Sequence, residues 1–320
     1  MTLPGWLRSL VERVLGWGPV QTGRRVMDDY GQAGGALLAG GLTYSALFVI
    51  LPILLVLTGV LGLVVTDTDR RTVMIRSIGD ALPPLRDVVQ VFLDRITENA
   101  AGFGVLGLLA AVWGASHFYG SLDEAFARLF PRVRKRGLVE RTVRGLASVG
   151  LFILVALIAL ALTGTASALA DSSASGIGGA AAPVLKVLTP VLAWIVFILA
   201  VGFVYRVVPA RSISLRAVWL PAVVAGLALA LLTQLFSYIA PRLVGSSALY
   251  GTFLAVFAAM VWLSTGFQIL LVGAAWVRER TLREDQRIAE HETHAPTTVV
   301  PAEGTTPPAD EARSESAEEA

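Results

Sequence analysis

Six apolar blocks, at about 35–65, 102–119, 147–170, 184–208, 217–240 and 248–277, limit what this chain can fold into. Each is about as long as the ~18–20 residues that a helix rising ~1.5 Å per residue needs to cross ~30 Å of hydrocarbon. Hydrocarbon offers no partner to a backbone N–H or C=O, so helices are the natural spanning form. Nothing in the blocks alternates with the period of a β-barrel strand. The expected fold class is an all-α membrane protein, a six-transmembrane-helix bundle spanning residues 31–278. Composition agrees: of 320 residues, 55% are hydrophobic and 16% charged, too little charge to clothe a soluble domain of that length. There are no cysteines, so disulfides, thiolate metal sites and cysteine nucleophiles are excluded. The first block starts too deep and runs too long for a cleavable signal peptide, and reads as a span.

Lysine and arginine set the orientation. Arg8, Arg13, Arg24 and Arg25 precede the first block, and a basic stretch from Arg128 to Arg144 separates the second from the third. Arg206, Arg211 and Arg216 separate the fourth from the fifth, and Arg278, Arg280, Arg283 and Arg287 follow the sixth. That side holds eighteen basic residues and the other holds seven. The rich side is expected to be cytoplasmic, and an even number of spans then places both termini there. Tyr119, Tyr205, Trp219 and Trp276 are expected at the cytoplasmic interface, with Tyr238 and Tyr250 at the outer one.

Three segments fall outside the spans. Residues 1–30 read as a cytoplasmic amphipathic segment, with Leu3, Trp6, Leu7, Leu10 and Val14 on one face. It rests either in the membrane interface or on the protein's own cytoplasmic face. The loop at about 66–101 reads as one or two amphipathic extracytoplasmic helices broken at Pro83–Pro84. Residues 279–320 carry Pro, Thr, Ala and Glu without hydrophobic periodicity, the mark of a disordered cytoplasmic tail.

Small residues recur every four positions: Gly35 with Ala39, Ala36 with Gly40, then Ala222–Gly226–Ala230 and Gly251–Ala255–Ala259. Such stripes let helix backbones approach where no hydrophobic effect drives them together. They serve either plain bundle packing or a sliding seam. Polar residues inside the spans are few, and no charged residue sits near the middle of any block. Ion-coupled carriers usually keep an ionisable group at depth, so this pattern disfavours them and leaves room for an amphiphilic cargo. The candidate intramembrane polar or cavity positions are Tyr44, Pro52, His117, Arg206, Gln234 and Gln268. His117 reads first as a hydrogen-bonded interface residue, and Gln234 and Gln268 as interhelical glue. Arg206 is expected to snorkel to the phosphate level, with a direct headgroup contact as the alternative. Arg132, Arg134, Lys135 and Arg136 determine topology and are candidate contacts for anionic lipid headgroups. No metal, cofactor or nucleic acid is expected; the partners expected are membrane lipids, with a homo-oligomer or an envelope-protein partner open.

Four stretches carry a family likeness: AGGLTYSALFVILPILLVLTGVLGL, GVLGLLAAVWGASHFYGSLDEAFARLF, FVYRVVPARSISLRAVWLPAVVAG and YGTFLAVFAAMVWLSTGFQILLVGAAW. Over roughly residues 25–278 the chain resembles the YihY/BrkB family of bacterial inner-membrane proteins, once labelled ribonuclease BN. The resemblance implies a six-span bundle in the bacterial plasma membrane with both termini cytoplasmic. It also suggests links to envelope lipid traffic and serum resistance. The chain departs from the family pattern at Ala275, where relatives often carry an acidic residue, and at Ala127, where they often carry asparagine. The old ribonuclease label meets a chemical objection: RNA hydrolysis needs metal-binding carboxylates or a histidine acid–base pair. The apolar blocks hold a single histidine and no clustered carboxylates, so no enzyme is expected. Two functions remain in view: movement or scrambling of lipids or other amphiphiles, and a non-transporting scaffold for envelope proteins.

Overall fold

The structure, a computed structural model, describes residues 18–64, 79, 82–86, 100–130, 181–209, 213–244 and 251–294. Among the described residues every regular element is helical. They form α1 (Gly18–Gln32), α2 (Gly35–Val64), a 3₁₀ turn (Pro83–Leu85), α3 (Ala100–Leu129), α4 (Ala181–Val207), α5 (Leu215–Val244) and α6 (Gly251–His294). The expected spans at 35–65, 102–119, 184–208, 217–240 and 248–277 each fall within or nearly within one of these helices. The block at 147–170, the amphipathic face at 3–14 and most of the 66–101 loop lie outside the described residues.

Local chemistry explains the boundaries. Gly34 takes φ 70°, a left-handed conformation that costs a residue with a Cβ roughly 1–2 kcal/mol. It turns the chain out of α1, and its own carbonyl then accepts from Leu38 N at 3.0 Å as α2 begins. Next to it, Gly35 lies against the Tyr30 ring, where a Cβ would collide with the ring carbons. Ser214 caps α5, its Oγ accepting from Ala217 N at 3.2 Å, the usual service of a serine at that position. Pro52 stands inside α2; it lacks an N–H to donate to the preceding turn, yet the helix continues to Val64.

Three helices are long and apolar enough to cross a bilayer by length and composition: Gly35–Leu54, Leu215–Arg242 and Phe253–Glu290, with a shorter apolar stretch at Trp194–Val207. No more than 41% of any of those three windows is buried. Leu37, Trp113 and Phe253 are 78%, 69% and 76% exposed, an outward-facing apolar surface that water would not tolerate on this scale. Lipid is the solvent that such a surface fits.

The core gathers at one end of the bundle. It joins Val26 of α1, Ala39 and Leu42 of α2, and Leu122, Phe126 and Leu129 of α3. From the other helices come Tyr205 of α4, Ala217 and Ala222 of α5, and Leu271 to Val277 of α6. The starts of α2 and α5 therefore share this end with the finishes of α3 and α4. Small residues set the closest approaches. A Cβ on Gly226 would lie 2.7 Å from the Ile198 Cα, so α5 presses directly onto the backbone of α4. Ala222 and Ala230 are buried on the same stripe, as are Ala255 and Ala259 of α6. The second stripe of α2 does not act this way: Ala36 and Gly40 are exposed.

One expectation changes. Residues 279–294 are helical, continuing α6, instead of beginning a structureless tail. The run RERTLREDQRIAEH is rich in Arg, Glu, Leu, Gln and Ala, which hold a helix without an apolar face. A second compact unit, Arg283–Ala320, starts within this helix, and its described part, 283–294, is helical. The Pro83–Pro84 pair, in turn, forms a buried 3₁₀ turn in contact with α5; proline's fixed φ suits the opening of such a turn.

Gly226→Leu should separate α4 from α5 and destabilise the protein by about 1–3 kcal/mol. Gly40→Ala meets nothing within 4 Å and should be neutral or slightly stabilising. Thermal unfolding of both variants in detergent checks the contrast.

Candidate functional site

Tyr205 closes the α4 side of the core. It is wholly buried, and its hydroxyl donates to the Leu270 carbonyl of α6 at 2.8 Å. That carbonyl lies inside a helix, and its second lone pair lets it accept this extra bond. Gly273 leaves room for the hydroxyl; a Cβ there would strike it. The Phe126 ring of α3 tilts against Tyr205 at 6.4 Å, so one side chain joins α3, α4 and α6. A second polar link joins α2 to α3, where Ser45 Oγ and Ser121 Oγ lie 3.0 Å apart.

Beyond this core the same end carries charge. Arg278 of α6 pairs with Asp29 of α1 at 2.8 Å, and Arg25 of α1 pairs with Glu279 at 3.4 Å. Glu279 is buried. Its carboxylate therefore depends on a partner 254 residues away in sequence, a link no local pattern announces. The two pairs fasten α1 to α6 with opposite polarities. On another side of this end, Arg206 Nη1 donates to Ile213 O at 3.0 Å, and Arg280 Nη2 donates to Arg216 O at 2.8 Å.

Polar side chains also stand on the outer faces of α5 and α6, separately on each. Gly266 lies beside Leu229 and Leu232, and Gly273 beside Ala225, so the helices are antiparallel and Gln234 stands level with Ser264. Gln268 Nε2 donates to Ser264 Oγ at 3.4 Å. Gln234, Ser237 and Gln268 are exposed. The contacts at Ala225, Leu229 and Leu232 turn Gln234 away from α6, and those at Gly266 and Gly273 turn Gln268 away from α5, so the two amides are exposed on separate faces.

The sequence-derived candidates distribute as follows. Tyr44 is exposed and packs on Phe48 with ring centroids 4.8 Å apart. His117 is exposed, 5.9 Å from the Trp113 ring. Pro52 is half-buried in α2, and Arg206 is exposed at the end of α4. Gln268 bonds within its own helix, not across helices, because its amide points along the surface of α6 towards Ser264. Among the described residues, no hydrogen bond or ring contact joins Tyr44, His117, Gln234 and Gln268 to one another. Arg132, Arg134, Lys135 and Arg136 lie outside the described residues. Two aromatics expected at the interface are instead inside the bundle, Tyr205 and Tyr119, both buried; Trp219 is 57% exposed, as an interfacial residue should be. Ala275, where relatives often carry an acid, is fully buried against the core, while Ala127 is exposed.

A family model described as virulence factor BrkB matches residues 26–298. A UPF0761 membrane protein of Rhodospirillum centenum is 28% identical over 279 residues, covering 84% of this chain and 60% of the relative. Another, from Chromohalobacter salexigens, is 26% identical over 275 residues, covering 82% and 64%. A third, from Glaesserella parasuis, is 25% identical over 191 residues, covering 60% and 66%. The chain thus spans a little under two thirds of the length of each of these relatives. No solved structure matches the chain significantly.

Tyr205→Phe keeps the ring and deletes the bond to Leu270, and should cost about 1 kcal/mol of stability. A double-mutant cycle on Asp29 and Arg278, read by the same unfolding assay, should give a coupling of about 1 kcal/mol. Additive effects would show that the pair does not hold α1 in place.

Proposed function

We propose, on the premise that this chain belongs to the BrkB family of membrane proteins, that it moves or scrambles lipids or other amphiphiles across a bacterial inner membrane. The observation that carries this reading is the exposure of the Gln234 amide on α5 and the Gln268 amide on α6, each within an apolar stretch. An amide facing hydrocarbon loses its water partners and is costly unless something polar visits it. A lipid headgroup passing either amide would find a partner while its tails stayed in the bilayer. The scarcity of charge at depth fits an uncoupled, downhill passage.

The architecture behind this proposal is a six-span bundle with both termini cytoplasmic. Three described helices are long and apolar enough to cross, α4 holds a shorter apolar stretch, and this reading takes α3 as a further crossing. The finish of α3 and the finish of α4 meet in one core, with Phe126 against Tyr205. Connecting them by way of the start of α4 therefore calls for one more crossing, for which the apolar block at 147–170 is the natural source. The basic residues at the core end argue for placing that end in the cytoplasm.

Reconstitution into vesicles with fluorescent lipids tests the transport reading. Headgroup movement should exceed that in protein-free vesicles, and Gln234→Leu with Gln268→Leu should slow it several-fold. No movement above background across several lipid types would overturn the proposal in favour of a scaffold. Because the chain has no cysteine, single cysteines can be introduced to map topology. Cysteines placed near residues 20 and 320 should both react only with reagents that reach the cytoplasm.

A further inference from the structure

The two sides of the charged end differ. Arg25 and Arg278 each have a carboxylate. Arg206, Arg216 and Arg280 have none among the described residues, and their recorded bonds go to or from backbone carbonyls. Sequence makes the imbalance stronger: no acidic residue occurs between Asp171 and Glu279, and Glu279 already holds Arg25. The carbonyls that receive Arg206 and Arg280 belong to residues 213 and 216. Three residues span at most ~11 Å even when extended, so both guanidiniums crowd one short stretch at the start of α5. Each uses one recorded donor of the five a guanidinium carries. Arg216 adds a third positive charge, its side chain exposed with no recorded partner.

Trp219 stands one turn further along α5, on the face of Arg216, and is 57% exposed. Leu215 on the same face is 66% exposed. An indole one turn from an arginine cluster and beside an apolar surface has the chemistry of the membrane interface, where a ring sits at glycerol depth and charges meet phosphates.

We propose that the end of α4, the start of α5 and the adjoining part of α6 form a headgroup site for an anionic phospholipid. Its phosphate is held by Arg206, Arg216 and Arg280, and its glycerol region packs on Trp219. Arginine suits the role because its fork of donors matches phosphate oxygens two at a time. The two backbone bonds hold the guanidiniums of Arg206 and Arg280 in position before the lipid arrives, so little side-chain freedom remains to be lost on binding. The site does not rest on the transport reading, since a scaffold would carry it equally.

The test uses the full chain in nanodiscs containing phosphatidylglycerol or phosphatidylcholine brominated on the acyl chain. The tryptophan quenching that disappears in Trp219→Phe isolates the signal of Trp219. This component should be quenched preferentially by the brominated anionic lipid. Apparent affinity should fall about fivefold in Arg216→Gln and about twenty-five-fold in Arg206→Gln/Arg280→Gln, near fivefold per charge. Arg216→Gln removes a side chain with no recorded bond in the fold, so its effect cannot be charged to misfolding. Arg24→Gln/Arg128→Gln, which removes two charges elsewhere, should leave the component unchanged. Equal quenching by both lipids, or an equal loss in that control, would overturn the site. Displacement of the lipid by inorganic phosphate at millimolar concentration would also overturn it, showing a site for free anions.

Discussion

A phenol hydroxyl carried out of water into a bilayer protein must find an acceptor, and most acceptors there are already occupied by helix bonds. Tyr205 meets this requirement by sharing the Leu270 carbonyl, and the rest of the core is arranged around that bond. Gly273 has to lack a side chain, Phe126 fills the space beside the ring, and Ala225 of α5 comes close to Gly273 of α6. Where the hydrophobic effect cannot drive helices together, a satisfied polar bond and close backbone contact have to supply the specificity. Both are found at one end of the molecule.

Much of the fold was legible in the sequence. Block length and the solvent argument predict helices at 35–65, 184–208 and 217–240, because a bilayer leaves the backbone few alternatives. The small-residue stripe at Ala222–Gly226–Ala230 predicts a close helix contact, but not that α4 is the partner. Such periodic signals read well because their cause is local. The helix over 279–294 does not read from hydrophobic periodicity, since it is held by intrinsic propensity. There a segment without an apolar face is nonetheless structured.

The candidate site was less legible. Arg206 was singled out, but its partners were not, because the loop that brings Ile213 and Arg216 back to it and the helix that supplies Arg280 are separate in sequence. Tyr205 was placed at the interface by its position near a span end, which says nothing of its rotation about the helix axis. Glu279 pairs with Arg25, and a pairing across 254 positions leaves no trace in either neighbourhood. Gln234 and Gln268 were recognised as unusual; only the three-dimensional register shows that they look outward.

The ion pairs that fasten α1 and the phenol bond that fastens α4 answer to different solvents. Asp29–Arg278 and Arg25–Glu279 stand at the rim; Arg25 is 62% exposed and open to mobile ions, while its partner Glu279 and the Asp29–Arg278 pair are more covered and are screened less. In ~1 M salt the screening length drops to ~3 Å, comparable to the pairs' own separations. The Tyr205 bond is enclosed by side chains and hardly senses the electrolyte. Ionic strength therefore acts as a selective lever on this molecule: it loosens the amino-terminal helix from the last one while the transmembrane core stays joined.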